Sequence, residues 1–264
     1  MAVPKVLILT GYGINCDEET KFAFEKAGAR ADLVHVNDLI ESPDRLGDYQ
    51  IVAFPGGFSY GDDTGSGNAL AWKIRNNLGI ERFVEDNKLV IGICNGFQVL
   101  VNLGLLPALN KQYGQRQVAL THNDSARYSD RWVDLEFNGE SPWVQGISRI
   151  SIPIAHGEGN FYADAETLAE INKRGLVTAR YVEGEVCQYQ NLPTNPNGSL
   201  ENIAGITDET GKIFGLMPHP ERAISFTQLP HWTFLKEKYQ REKREIPSNA
   251  DGIKIFMNGV NYFK

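Results

Sequence analysis

The chain has 264 residues, 42% of them hydrophobic and 22% charged, with a formal net charge of −7. Such proportions suit a soluble globular protein with one large core or two smaller ones. The acidic balance and the lack of a Lys/Arg run argue against a nucleic-acid face, and no stretch approaches the ~20 apolar residues that cross a bilayer.

The first apolar run, in residues 1–13, is too short for a signal peptide and lacks a small-residue cleavage pattern. It predicts instead a buried first strand over Lys5–Leu9. A helix follows over Glu18–Ala27, with Asn15 as its N-cap and acids in its first turn. Further strands are expected at Ala31–Val36, Ile51–Phe54 and Leu89–Ile93. Their apolar residues are consecutive, as in strands of a parallel sheet covered on both faces, so the fold class is a doubly wound, mostly parallel α/β sheet. In such sheets ligands bind beyond the carboxyl ends of the strands.

Between about Leu109 and Tyr162 the rhythm changes. Trp132–Phe137 alternates apolar and polar residues, which predicts an antiparallel excursion from the sheet rather than a separate domain. Residues 191–199 read as a loop, and His231–Arg244 as a charged helix before a short apolar end. The whole chain, 1–264, is expected to be one domain, with a core over about 5–225 and a C-terminal extension over about 226–264. Cys16, Cys94 and Cys187 lie far apart without CxxC pairing, which suggests a reducing cytoplasm rather than a disulfide framework or a zinc site.

The sharpest chemical signal is Gly92-Ile93-Cys94-Asn95-Gly96, a strand that ends in a tight turn and opens an apolar helix. This is the form of a nucleophile elbow with sulfur in place of oxygen, and the helix N-terminus favours a thiolate. The alternative for such a cysteine is a plain core residue. A thiolate nucleophile needs a base and an orienting group. In Pro218-His219-Pro220-Glu221 the prolines favour extended backbone, so His219 and Glu221 face the same way. His156, with Glu158 two residues on, is the rival base, and spacing alone does not choose between them. Gly56-Gly57, after the Ile51–Phe54 strand, offers backbone N–H groups for an oxyanion hole shared with Asn95. A Gly-containing peptide also flips cheaply, so the Gly57 N–H is expected to point away from the site at rest. Cys16, which should open the first helix, reads as structural, with a second redox-active or catalytic thiol as the alternative.

Together these segments resemble the class I, triad-type glutamine amidotransferases, whose two signatures match Gly92-x-Cys94-x-Gly96-x-Gln98 and His219-Pro220-Glu221. Further segments narrow the resemblance to the glutaminase subunits of phosphoribosylformylglycinamidine synthase. They include Gly13–Asp17, Pro55–Asp62, Asn123–Trp132, His156–Gly159, Asn195–Ser199 and Gly215–Arg222. Where that family often carries a Tyr-Leu-Arg segment after Gly61-Asp62, this chain has Asp63–Gly67. The resemblance implies a flavodoxin-like fold, and hydrolysis of glutamine through a Cys94 thioester with His219 as acid–base and Glu221 as its orienter. Gly56, Gly57 and Asn95 would form the oxyanion site, and Gln98 would line the glutamine site. It also implies delivery of ammonia to an ATP-dependent synthetase partner in purine biosynthesis, with a small accessory subunit. No cofactor is expected in this chain, and ATP and magnesium belong to the partner. Another class I amidotransferase and a catalytically silent regulatory subunit are the alternatives.

Overall fold

The structure, a computed structural model, describes residues 3–80, 83 and 86–264; Met1, Ala2 and residues 81, 82, 84 and 85 of the expected domain lie outside the described residues. The predicted apolar runs form β1 (Lys5–Thr10), β2 (Arg30–His35), β3 (Ile51–Phe54) and β4 (Leu89–Ile93), with every residue of β3 and β4 buried. Helix α1 (Asp17–Lys26) turns Thr20, Ala23 and Phe24 inward at helical spacing. Helices α2 (Val36–Glu41), α3 (Asn68–Arg75) and α4 (Asn95–Leu103) complete the first half.

The second half contains β5 (Ala119–Thr121), β6 (Ser129–Phe137), β7 (Arg149–His156), β8 (Asn160–Tyr162), α5 (Ala165–Lys173) and β9 (Val177–Val182). It continues through α6 (Glu185–Gln190), β10 (Ile203–Thr207), β11 (Ile213–Leu216), α7 (Trp232–Arg241) and α8 (Ile253–Asn261). Nine strands make one sheet in the order β2-β1-β3-β4-β11-β10-β9-β6-β7. From β2 to β11 neighbours are parallel, and from β11 to β7 they are antiparallel.

The alternating segment at β6 is antiparallel, as its pattern predicts, but it does not leave the sheet. β6 and β7 extend it, and only β5 and β8 form a separate two-stranded ribbon. Although five places separate β4 from β7 in the sheet, the backbone N–H of His219, just after β11, donates to Pro153 O of β7 at 2.7 Å, and Cys94 Sγ donates to Ala155 O at 3.7 Å. The antiparallel half therefore curls back over the carboxyl ends of the parallel half. The tail also packs inward. Ile255, Phe256 and Val260 of α8 are fully buried, and the Phe256 ring lies 4.9 Å from that of Phe24 in α1.

Candidate active site

Four loops leave the carboxyl ends of β1, β3, β4 and β11 side by side, and the chain reverses its direction across the sheet between β1 and β3. This is the place where a doubly wound sheet opens a crevice. β4 enters α4 directly through Cys94, which has φ +51° and ψ −106°, a strained conformation for an L residue. The flanking glycines make the turn possible. A Cβ on Gly96 would stand 1.8 Å from Phe54 O, and one on Gly92 would stand 2.6 Å from Gly96 O. The Cys94 N–H donates to Leu216 O at 2.8 Å, which ties the elbow to β11.

His219 and Glu221 follow β11, and both are buried beside the elbow. His219 Nδ1 and Glu221 Oε1 are 2.5 Å apart, and the opposite edge of the imidazole, Nε2, is buried with no hydrogen bond of normal geometry among the described residues. Burial opposes a charge on this imidazole. The neighbouring Glu221 carboxylate, with the sulfurs of Cys94 and Cys16 beside the ring, outweighs that cost and holds its pKa well above the ordinary histidine value. A proton taken from the Cys94 thiol thus has a stabilised seat.

His156 differs. Its Nδ1 lies 3.0 Å from Asn123 Oδ1, which also accepts from the Gly159 N–H, so Nδ1 carries the proton. Burial, and next the charge of His219, push its pKa down to about 3. It stays neutral and weakly basic at working pH, a poor proton acceptor for a thiol. The geometry brings His219, not His156, together with a carboxylate partner: Glu158 turns to His122 Nδ1 (3.6 Å) and to the Ser66 N–H (3.3 Å) instead.

The glycine loop after β3 pairs with the loop after β1. Gly56 O accepts from the N–H groups of Asn15 (3.3 Å) and Cys16 (3.1 Å), and Phe58 N–H donates to Gly13 O (2.7 Å). All these bonds point to the β1 side. Across a trans peptide the Gly57 N–H points opposite to Gly56 O, hence away from the loop after β1. The pairing with residues 13–16 sets this direction, and spacing alone does not reveal it. Asn95 is buried: its Oδ1 accepts from the Ser59 N–H (3.2 Å), and its Nδ2 donates to Gln98 Oε1 (3.0 Å) and Asp62 Oδ1 (3.3 Å). Gln98 Nε2 in turn donates to Glu158 O at 2.5 Å. Beside this chain opens a cleft of about 370 Å³ with Asp62, Ser66, Arg127, Tyr128 and Glu158 in its wall. Burial raises the pKa of Asp62.

Sequence reasoning did not place Cys16 beside His219. It occupies the N-cap position of α1 itself, without a side-chain cap, so Asn15 is not the cap; Asn15 Oδ1 instead accepts from the Cys16 thiol at 3.4 Å. Cys16 Sγ also accepts from Arg222 Nη2 at 3.0 Å, and it lies within 4.8 Å of ligand-type atoms of both His219 and Glu221. These three residues form the cluster of a kind that holds metals, but Nδ1 is engaged by Glu221 and the sulfur by Arg222, which suits proton handling. The one local sign was position: the loop after β1 must open beside the loop after β3.

Residues 3–263 match the family model described as a CobB/CobQ-like glutamine amidotransferase domain. The chain belongs to this amidotransferase family. Among its amidotransferase relatives, a Methanococcus maripaludis protein named phosphoribosylformylglycinamidine synthase subunit PurQ is 48% identical over 266 residues, covering 99% of each chain. A Dehalococcoides mccartyi protein of the same name is 45% identical, covering 99% of this chain and 98% of its own. The solved "Structure of PurLQS from Thermotoga maritima" superposes with a TM-score of 0.73 at 32% identity over the full length of both chains. A Thermoplasma acidophilum structure at 13% identity and TM-score 0.57 shares the fold.

Proposed function

We infer that this chain is the glutaminase subunit of a phosphoribosylformylglycinamidine synthase. It hydrolyses glutamine to glutamate and ammonia, and a synthetase partner uses the ammonia in purine biosynthesis. The observation that carries this reading is the strained Cys94 elbow beside a buried His219–Glu221 pair at 2.5 Å. In the mechanism, His219 holds the proton taken from Cys94 while the thiolate attacks the side-chain amide, and Glu221 holds the imidazole and stabilises its charge. The N–H groups of Gly57 and Asn95 receive the oxyanion, with Gly56 giving the loop its close approach to His219. His219 then protonates the leaving ammonia, and water releases glutamate from the thioester. Gln98, anchored to Glu158 O, lines the glutamine site.

The reading treats residues 1–264 as a single domain, supported by the burial of α8, and includes a small accessory subunit beside the synthetase. Cytoplasmic residence fits three unpaired cysteines, and among the described residues no helix is long and apolar enough to cross a membrane. A catalytically silent subunit would have no use for this buried pair. The test is glutamate release by the chain alone and with synthetase partner, ATP and formylglycinamide ribonucleotide. Turnover by the complex that disappears in Cys94→Ala, with ammonia-supported synthesis intact, is expected. Glutamine turnover surviving that substitution would overturn the assignment.

A further inference from the structure

Cys16 touches both halves of the site. Its backbone N–H holds Gly56 O at 3.1 Å, which fixes the direction of the Gly57 N–H, and its side chain lies against the base. The sulfur has little freedom. It is 1% exposed, Arg222 Nη2 lies 3.0 Å away, Asn15 Oδ1 lies 3.4 Å away, and the Cys16 carbonyl is held by Thr20 Oγ1 at 2.6 Å. Gly56 is packed so closely that a Cβ there would stand 3.2 Å from this sulfur and 2.7 Å from His219 Cε1. Arg222 Nε also faces Glu19 Oε1 at 3.7 Å.

We propose that Cys16 is a positioning residue of the glutaminase, its sulfur fixing the imidazole of His219 in line with Cys94 while Arg222 fixes the sulfur. The inference rests on the function proposed above. A sulfur lone pair beside a buried imidazolium supplies a partner that water cannot reach. The same contact contributes to the raised pKa of His219. Glu221 therefore holds one edge of the ring and Cys16 braces it from the Gly56 side. Cys16 is in this sense a third support, and its thiol takes no part in bond making.

The experiment compares wild type, Cys16→Ala and Cys16→Ser in the full complex. Loss of the sulfur's contact with a charged ring predicts a fall in kcat for glutamine of about tenfold to a hundredfold in Cys16→Ala. KM should stay within about threefold, ammonia-supported synthesis should be unchanged, and Cys16→Ser should recover much of the loss. A second readout does not depend on turnover. In ¹⁵N-histidine NMR spectra, His219 should lose its proton at lower pH in Cys16→Ala than in wild type. If wild type failed to hydrolyse glutamine, the functional reading would fall while the His219 titration still tested the contact. Wild-type kcat together with an unmoved His219 titration in Cys16→Ala overturns the proposal. So does an equal loss of glutamine- and ammonia-supported synthesis, which marks a general structural role.

Discussion

Gly56→Ala isolates the geometry of the base from its chemistry. Gly56 does not have the positive φ of Gly57, so alanine fits its backbone and the only new element is a methyl group. That methyl would lie 2.7 Å from His219 Cε1, against the about 3.5–4.0 Å at which carbon atoms rest. The imidazole must yield by about 1 Å, a misplacement worth on the order of a hundredfold in rate. Overpacking of this kind costs about 1–3 kcal/mol of stability, or roughly 2–10 °C in Tm for a chain this long, so the variant stays folded. Glutamate release by the assembled complex should drop by about two orders of magnitude, while ammonia-supported synthesis persists. Gly47→Ala is the control, because a Cβ there meets nothing within 4 Å. A Gly56→Ala enzyme with kcat within threefold of wild type would refute the placement of His219 against this loop.

Glu221→Gln removes the charge that steadies His219 and should lower glutamine turnover by at least about a hundredfold. Because the His219 pKa is raised in the fold, stability from its pairing is full below about pH 6.5 and lost as pH rises through the raised value; the wild-type-minus-variant difference in melting temperature should shrink along that path. His156 behaves in the opposite sense. Its pKa of about 3 means the unfolded chain takes up a proton that the folded chain refuses, so stability falls as pH drops below about 6.5, and His156→Gln should flatten that acid limb by about one proton. Equal slopes in wild type and variant would show that His156 is not buried in neutral form. Gly96→Ala, with a Cβ 1.8 Å from Phe54 O, should yield little soluble protein, and a well-folded, active variant would contradict the elbow's packing.

Much of this was written locally. Consecutive apolar residues in Ile51–Phe54 and Leu89–Ile93 announced strands buried on both faces, and Gly92-x-Cys94-x-Gly96 announced the elbow, because glycine is demanded there by contacts one loop away. Pro218-His219-Pro220-Glu221 announced that His219 and Glu221 belong together, although the pair meets through a 3-10 turn over Pro220–Arg222 and not through the extended backbone that the prolines suggested. The illegible parts depend on distant pairing. Alternation in β6 specified a half-exposed antiparallel strand but not which edge it would join. Cys16 was legible as a helix-start residue, which it is, but its contact with Arg222, 206 positions away, was not. The direction of the Gly57 N–H was settled by hydrogen bonds from Asn15 and Cys16, which no spacing between glycines encodes.

The insertion of β11 between β4 and β10 has a consequence for how the chain reaches activity. The last strand to be synthesised lies in the middle of the sheet, and until it arrives the β4 edge next to the nucleophile is unpaired. Pairings between residues so far apart in sequence are slow to form, since loop closure must precede the contacts that reward it. The elbow's own N–H bond is to Leu216 O, and the base follows three residues later. A nascent chain that has displayed Cys94 therefore carries no base to arm it and no wall to close over it. Glutaminase chemistry begins only when folding is nearly complete, and a truncated product ending before β11 is a thiol without an enzyme around it.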